Sequence, residues 1–203
     1  MNRRDLLKLS LAATGLAVGA TTSAHAQQAC ATDGTPAQFT PKKAPDAKPL
    51  ENDIEKYAKC PYCGMDRKMF HHSRMLIQYS DDLPDGVCSL HCASISLAVN
   101  IDREPKAIWV GDNASPAEIK TLVEVDKATF LIGSQIKGVM TKRSKVAYGN
   151  EDAAKAAMAT NGGELGNFDK ALLAAYTDMA QDASMIRKNR EERRKRASME
   201  HKH

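Results

Sequence analysis

Past Ala20 the sequence has no apolar run long enough to span a bilayer, which excludes a helical membrane body. It also lacks a charge bias through most of its length: residues 27–186 carry 18 Lys and Arg against 21 Asp and Glu, so the body is close to neutral. Strands alternating regularly with long helices are absent, and with them the doubly wound sheet. Large apolar residues are scarce between Gln27 and Leu50, where four of the eight prolines fall. That composition predicts a disordered linker over 27–53.

The two ends are distinctive. Arg3-Arg4, an apolar run from Leu6 to Ala20 and the small-residue site Ala24-His25-Ala26 have the form of an export signal over 1–26. "NRRDLLK" resembles a twin-arginine signal, a route that carries proteins already folded. No apolar residue stands three positions before Cys30, so a lipobox is missing. The expectation is a soluble periplasmic protein, cut near Ala26, with no stable membrane insertion. At the far end, residues 187–203 hold eight Lys and Arg against three Glu. In a periplasmic protein this basic tail does not point to nucleic acid; it reads as a solvated helix end whose cations suit the helix dipole.

Between the ends the punctuation is regular. "RMLIQYS" alternates, with Met75, Ile77 and Tyr79 on one side; "DDLPDG" follows as a turn before "VCSL", and the whole predicts a hairpin. "HCASISLAVN" has the apolar spacing of a short helix, and "AIWVGD" that of a returning strand. "TLVEV", "ATFLIG" and "KVAYG" repeat the strand signals in looser form. Asn150 with Glu151 and Asp152 is an N-cap signal for a helix that stops at Asn161-Gly162-Gly163. A last helix after Asn167 spaces Phe168, Leu172, Tyr176, Met179, Ala183 and Ile186 as a buried face. The pattern is α+β: two small ββαβ-like units side by side, about 54–112 and 113–186, within a domain of 54–186 that includes a C-terminal helix.

Chemistry concentrates at the cysteines. Cys60-x-x-Cys63 and Cys88-x-x-x-Cys92, with 24 residues between the pairs, have a spacing that closes around one metal ion. His91 lies inside the second pair. Cys-Pro-Tyr-Cys resembles a glutaredoxin dithiol, but that chemistry needs a buried strand before it and an unbroken helix after it. "ENDIEKYAK" is too charged for such a strand, and Gly64 interrupts the helix. Disulfides in an oxidising compartment remain open, making a stapled interaction module. So does a four-cysteine Zn(II) module, structural or metal-sensing. Thiolate and thioether together favour Cu(I), and Cys63-x-Met65 offers one of each, with Met69, His71, His72 and Met75 close behind.

The segment "CGM" after a cysteine, a hairpin, and then the stretch from Ala128 to Leu172 resemble the NosL family of periplasmic copper-binding accessory proteins. The resemblance implies a non-enzymatic Cu(I) chaperone. Its partners would be a copper-receiving metalloenzyme such as nitrous oxide reductase and a copper exporter or donor. It implies Cys63 and Met65 as ligands, Met140 at the place of the family's second-half methionine, and His91, His71 or His72 as a third donor. Where members carry proline, glycine and histidine, this chain has Val139, Thr141 and Asn161. The segment "VCSLHC" also makes the first half resemble a treble-clef-type metal finger of Cys60, Cys63, Cys88 and Cys92.

Overall fold

A computed structural model describes residues 44–200 apart from Asp102, and of Glu200 only the backbone. The export signal, most of the linker, Cys30 and the last three residues lie outside the described part. Two antiparallel sheets carry the fold. The first has the order β2-β1-β3-β4, from β1 (Met75–Tyr79), β2 (Pro84–Val87), β3 (Pro105–Gly111) and β4 (Leu122–Glu124). The second has the order β6-β5-β7, from β5 (Thr129–Ile132), β6 (Lys145–Tyr148) and β7 (Glu164–Gly166). Counting α1 (Asp53–Lys56) first, helix α2 (Leu90–Val99) follows β2 and α3 (Glu151–Asn161) follows β6. Each half is therefore a ββαβ unit, and α4 (Phe168–Glu200) closes the chain.

β1 is central because it pairs on both sides, with Met75 opposite Val87 on β2 and Val110 on β3. Met75, Ile77 and Tyr79 enter the main core, and so the predicted alternation is present. Leu76, on the other face, is equally buried. The cover over that face comes from the segment leading to β1. Arg67, fully buried, donates from Nη1 to the carbonyls of Asp53 and Tyr57 at 2.8 Å and from Nη2 to Asp53 Oδ2 at 2.9 Å. Gly86 permits this close approach, since a Cβ there would lie 2.5 Å from that of Tyr57. The segment that carries the first cysteine pair is thus bolted to the sheet on either side of the pair.

Four sequence expectations need correction. Contacts with the domain begin before Ile54: Asp46, assigned to the linker, accepts from Lys56 Nζ at 2.6 Å and from the Tyr57 hydroxyl, and its N–H donates to the Asp82 carbonyl at 2.8 Å. The turn after β1 is shorter than "DDLPDG", because Pro84, Asp85 and Gly86 already pair with β1 as an edge strand. β4, placed by its sequence in the second half, is the edge of the first sheet, with Val123 opposite Val110. The buried positions of α4 are Ala171, Ala174, Ala175 and Asp182; Phe168 and Leu172 of the predicted face pack partly buried against the core, whereas Tyr176 is 41% exposed. Small residues win there because α4 packs close against α2 and β5. Tyr176 keeps a tie across that junction by donating to the Ser94 carbonyl at 3.0 Å.

The α3 signals hold as read. Asn150 Oδ1 accepts from the Ala153 N–H at 3.0 Å, and Gly162 follows with φ of 68°, the left-handed stop that glycine supplies. One core runs through both sheets, since Val87 and Val110 of the first share it with Phe130 and Ile132 of the second and with Ala171 of α4.

Candidate metal centre

All four paired cysteines meet. The Sγ atoms of Cys60, Cys63, Cys88 and Cys92 lie within 4.8 Å of one another, 3.4 Å apart for Cys63 and Cys88 and 3.7 Å for Cys88 and Cys92. All four are free thiols. The first pair arrives on a tight turn, in which the Gly64 N–H donates to the Cys60 carbonyl at 2.8 Å and the Cys60 N–H to the Met65 carbonyl at 2.9 Å. Gly64 takes a φ of +77°, which glycine adopts without strain. No helix follows Cys63, so the dithiol has no helix N-terminus to activate it, and the thiol-exchange chemistry suggested by Cys-Pro-Tyr-Cys lacks its device. The second pair comes from the end of β2 and the first turn of α2, which sets Cys88 and Cys92 side by side.

The thiols titrate as a group. One thiolate, assigned to Cys60, is held far below the ordinary thiol range by hydrogen bonds from Cys63, Cys88 and Cys92 and from the Cys88 backbone. Cys88 and Cys92 are pushed up, chiefly by that same Cys60 anion, with burial adding to it. Cys63 is raised by Cys60 but lowered overall by Cys88, Cys92 and the Met65 N–H. The pocket therefore accepts one negative charge readily, and further thiolates need a cation among them. Two of the six edges, 3.4 and 3.7 Å, approach the roughly 3.8 Å expected for sulfurs around a tetrahedral ion.

Behind the thiols is a polar brace. Asp85, buried on β2 with its carboxyl pushed up by burial, accepts from Tyr62 and from Ser96, each at 2.6 Å. Ser96 also bonds the Tyr79 hydroxyl at 2.7 Å. Tyr62, directly before Cys63, fixes that turn to the sheet. No local signal in the sequence marks Asp85, because its role arises only when Tyr62 and α2 close over β2.

Cys60, Cys88 and Cys92 are buried, and Cys63 is partly exposed on the wall of a groove of about 1420 Å³. Met65, Met140 and Met185 line the same groove, together with Phe70. Met140 is in the long connection between β5 and β6 with a φ of 61°, and Met185 on α4. The structure thus puts Met65 and Met140, from separate halves, on the same groove as Cys63, and adds Met185, which the sequence reading had not singled out.

The histidines do not join the thiols. His91, though one residue from Cys92, is turned to α4: its Nδ1 stands 3.5 Å from Asp182 Oδ2, and neither atom has a hydrogen bond among the described residues. Burial lowers its pKa more than Asp182 raises it. A helix turn of 100° per residue puts neighbours on different faces, so Cys92 meets the thiols while His91 meets α4. His71 accepts from the Lys120 N–H at 3.1 Å, and His72 shares a small cavity with His91 and Lys145. Met69 is 71% exposed, and Met75 is in the core.

A family model, NosL, matches residues 51–173. Among solved structures the chain is similar to the crystal structure of the copper chaperone NosL from Shewanella denitrificans. That likeness has 20% identity and a TM-score of 0.47, and it covers 63% of this chain and 92% of that one. No curated protein matches.

Proposed function

Because this chain belongs to the NosL family, we propose that it is a periplasmic Cu(I) metallochaperone, a carrier and not a catalyst. The observation that supports this best is the placement of Cys63: one partly exposed thiol of a buried cluster, on a groove wall it shares with three thioethers. Thioethers are soft neutral donors that suit Cu(I) and contribute little to Zn(II), so their gathering at the one accessible thiol favours copper. Cys60, Cys88 and Cys92 supply retention, and Cys63 with Met65 and Met140 supplies exchange. A ligand from the recipient adds to the ion as the Cys63 sulfur leaves; copper stays Cu(I) throughout, and a proton returns to the freed thiolate. The recipient is a copper enzyme under assembly, of which nitrous oxide reductase is the one the family resemblance suggests. Export to the periplasm rests on the leader-like residues 1–26, outside the described structure. No helix among the described residues is long and apolar enough to cross a membrane.

The test is a competition of anaerobically reduced protein with a chromophoric Cu(I) chelator. Sub-nanomolar retention is expected, and failure to compete would remove the proposal. A second reading, a structural Zn(II) site closed by all four thiolates, is favoured by the gathering of the four sulfurs within 4.8 Å of one another. X-ray absorption at the copper edge separates the two. A shell containing Cys63 with thioether sulfur supports transfer, whereas an inert zinc whose removal unfolds the chain supports the structural site.

A further inference from the structure

α4 continues well past the segment that matches the family, which ends at Leu173, and its continuation forms one wall of the groove at Cys63. Arg190, Arg193 and Arg194 recur there at helical spacing after Met185 and Ile186. The connection between β5 and β6 adds Lys137 and Lys142 to the same lining. These five cations are joined by no carboxylate anywhere on the groove lining, and none of them pairs with one among the described residues. The acidic residues of the same helix stretch are used elsewhere: Glu191 pairs with Lys195 at 2.7 Å and Glu192 with Arg196 at 3.8 Å. Arg190 leans over the site itself, its Nη2 3.5 Å from the Cys63 carbonyl. A concavity walled by one sign of charge focuses the potential where an anionic partner would enter.

We propose that this groove docks an acidic polypeptide segment of the protein with which metal is exchanged, laying it across Cys63 and Met65. The proposal rests on the chaperone reading and names the partner's chemistry. Cations lining a groove from two separate elements are reached by an extended chain; a flat anionic bilayer meets only the rim. A second copy would bring its own basic helix, and like charges would oppose the contact. Docking raises the local concentration of the recipient's ligands beside Cys63, the partly exposed thiol of the cluster, and it weakens with salt.

The experiment follows Cu(I) leaving the loaded, full-length chain by stopped flow. It uses two short acceptor peptides with the same Cys and Met, one rich in Asp and Glu and the other with Asn and Gln in their place. The acidic peptide should take copper about tenfold faster at low ionic strength, an advantage that shrinks as salt rises. The triple variant Arg190→Glu, Arg193→Glu, Arg194→Glu should abolish the advantage while its chelator competition and circular dichroism stay unchanged. The variant Lys195→Glu, Arg196→Glu, which reverses charges outside the groove, should keep it. Equal rates for the two peptides, or an advantage that survives the triple reversal, overturns the proposal. Arginine-dependent sedimentation with phosphatidylglycerol vesicles, without a peptide preference, also overturns it in favour of a membrane surface. Should the chain hold no Cu(I), the chaperone reading falls alone. The groove is then judged by anisotropy of the fluorescein-labelled acidic peptide, where arginine-dependent binding sustains docking and no binding refutes it.

Discussion

The two ββαβ units share a strand order, the first two strands as a hairpin and the last returning beside the first, yet they spend their residues differently. In the first unit the hairpin connection is short and the chemistry is outside it, on the turn before β1 and at the junction of β2 with α2. In the second unit the hairpin connection runs from Gly133 to Ser144 and becomes a groove wall bearing Met140. The first unit also holds the buried Arg67–Asp53–Arg74 ion cluster, with Arg74 Nε 3.0 Å from Asp53 Oδ2, whereas in the second the buried cation is Lys145, whose Nζ pairs with Asp178 of α4 at 2.7 Å. On the proposed function, the first unit both retains the ion and carries the exchange thiol Cys63, while the second adds the groove wall with Met140, because loops carry function while the paired strands hold them in place.

The comparison breaks most visibly at Arg67. Replacing it with alanine removes hydrogen bonds to the carbonyls of Asp53, Tyr57, Met75 and Val87 and leaves Arg74 as the one guanidinium still on the buried Asp53 carboxylate, at a cost of about 3–5 kcal/mol. Urea unfolding should show the loss, and cysteine accessibility to a thiol reagent should rise with it. A smaller effect follows from Cys88→Ser in the same unit. With a core sulfur gone, Cu(I) affinity should fall by more than about 100-fold, beyond what changes around a ligand shell produce. A chelator titration reads this.

Met140→Ala tests the other half. If the second unit presents the ion and does not retain it, affinity should change by less than about tenfold while transfer to an acceptor slows. A loss of affinity matching that of Cys88→Ser would erase the division of labour.

The smallest effect concerns Asp46. Hydrogen bonds from Lys56, then Tyr57, hold its carboxyl at about 2, below the 3.8 of a free aspartate. Because the folded value is the lower one, this contribution is present above about pH 4 and is lost as pH falls toward 2. Asp46 is close to the surface, so solvent screening reduces the contribution to about 1 kcal/mol. Asp46→Asn should be less stable than the parent by that amount at pH 7, and the gap should close between pH 4 and 2, as read from urea midpoints.

Much of this was legible beforehand, for a local reason. Strand alternation in "RMLIQYS", the Asn150 cap and the Gly162-Gly163 stop are encoded by neighbours a few residues apart, and those elements formed where the pattern placed them. The pairing of Cys60-x-x-Cys63 with Cys88-x-x-x-Cys92 was readable because one hairpin brings its two ends together. The histidine donors were not: His91 is next to a site cysteine in the chain, yet the helix turn between them sends it to Asp182. The docking of Asp46 on the domain and the edge position of β4 escaped because both depend on which distant surface is left uncovered.

What the amino-acid order determined by itself was the kind of chemistry: four thiols in two short-spaced pairs, a thioether two residues from one of them, and strands and helices repeated twice. Tertiary packing decided which thiol faces outward and what stands opposite it. Cys63 and Arg190 are 127 positions apart, and only the close seating of α4 on its small residues, Ala171, Ala174 and Ala175, brings that basic face to the groove. Local spacing fixes which residues share a face, but long-range burial chooses what each face meets.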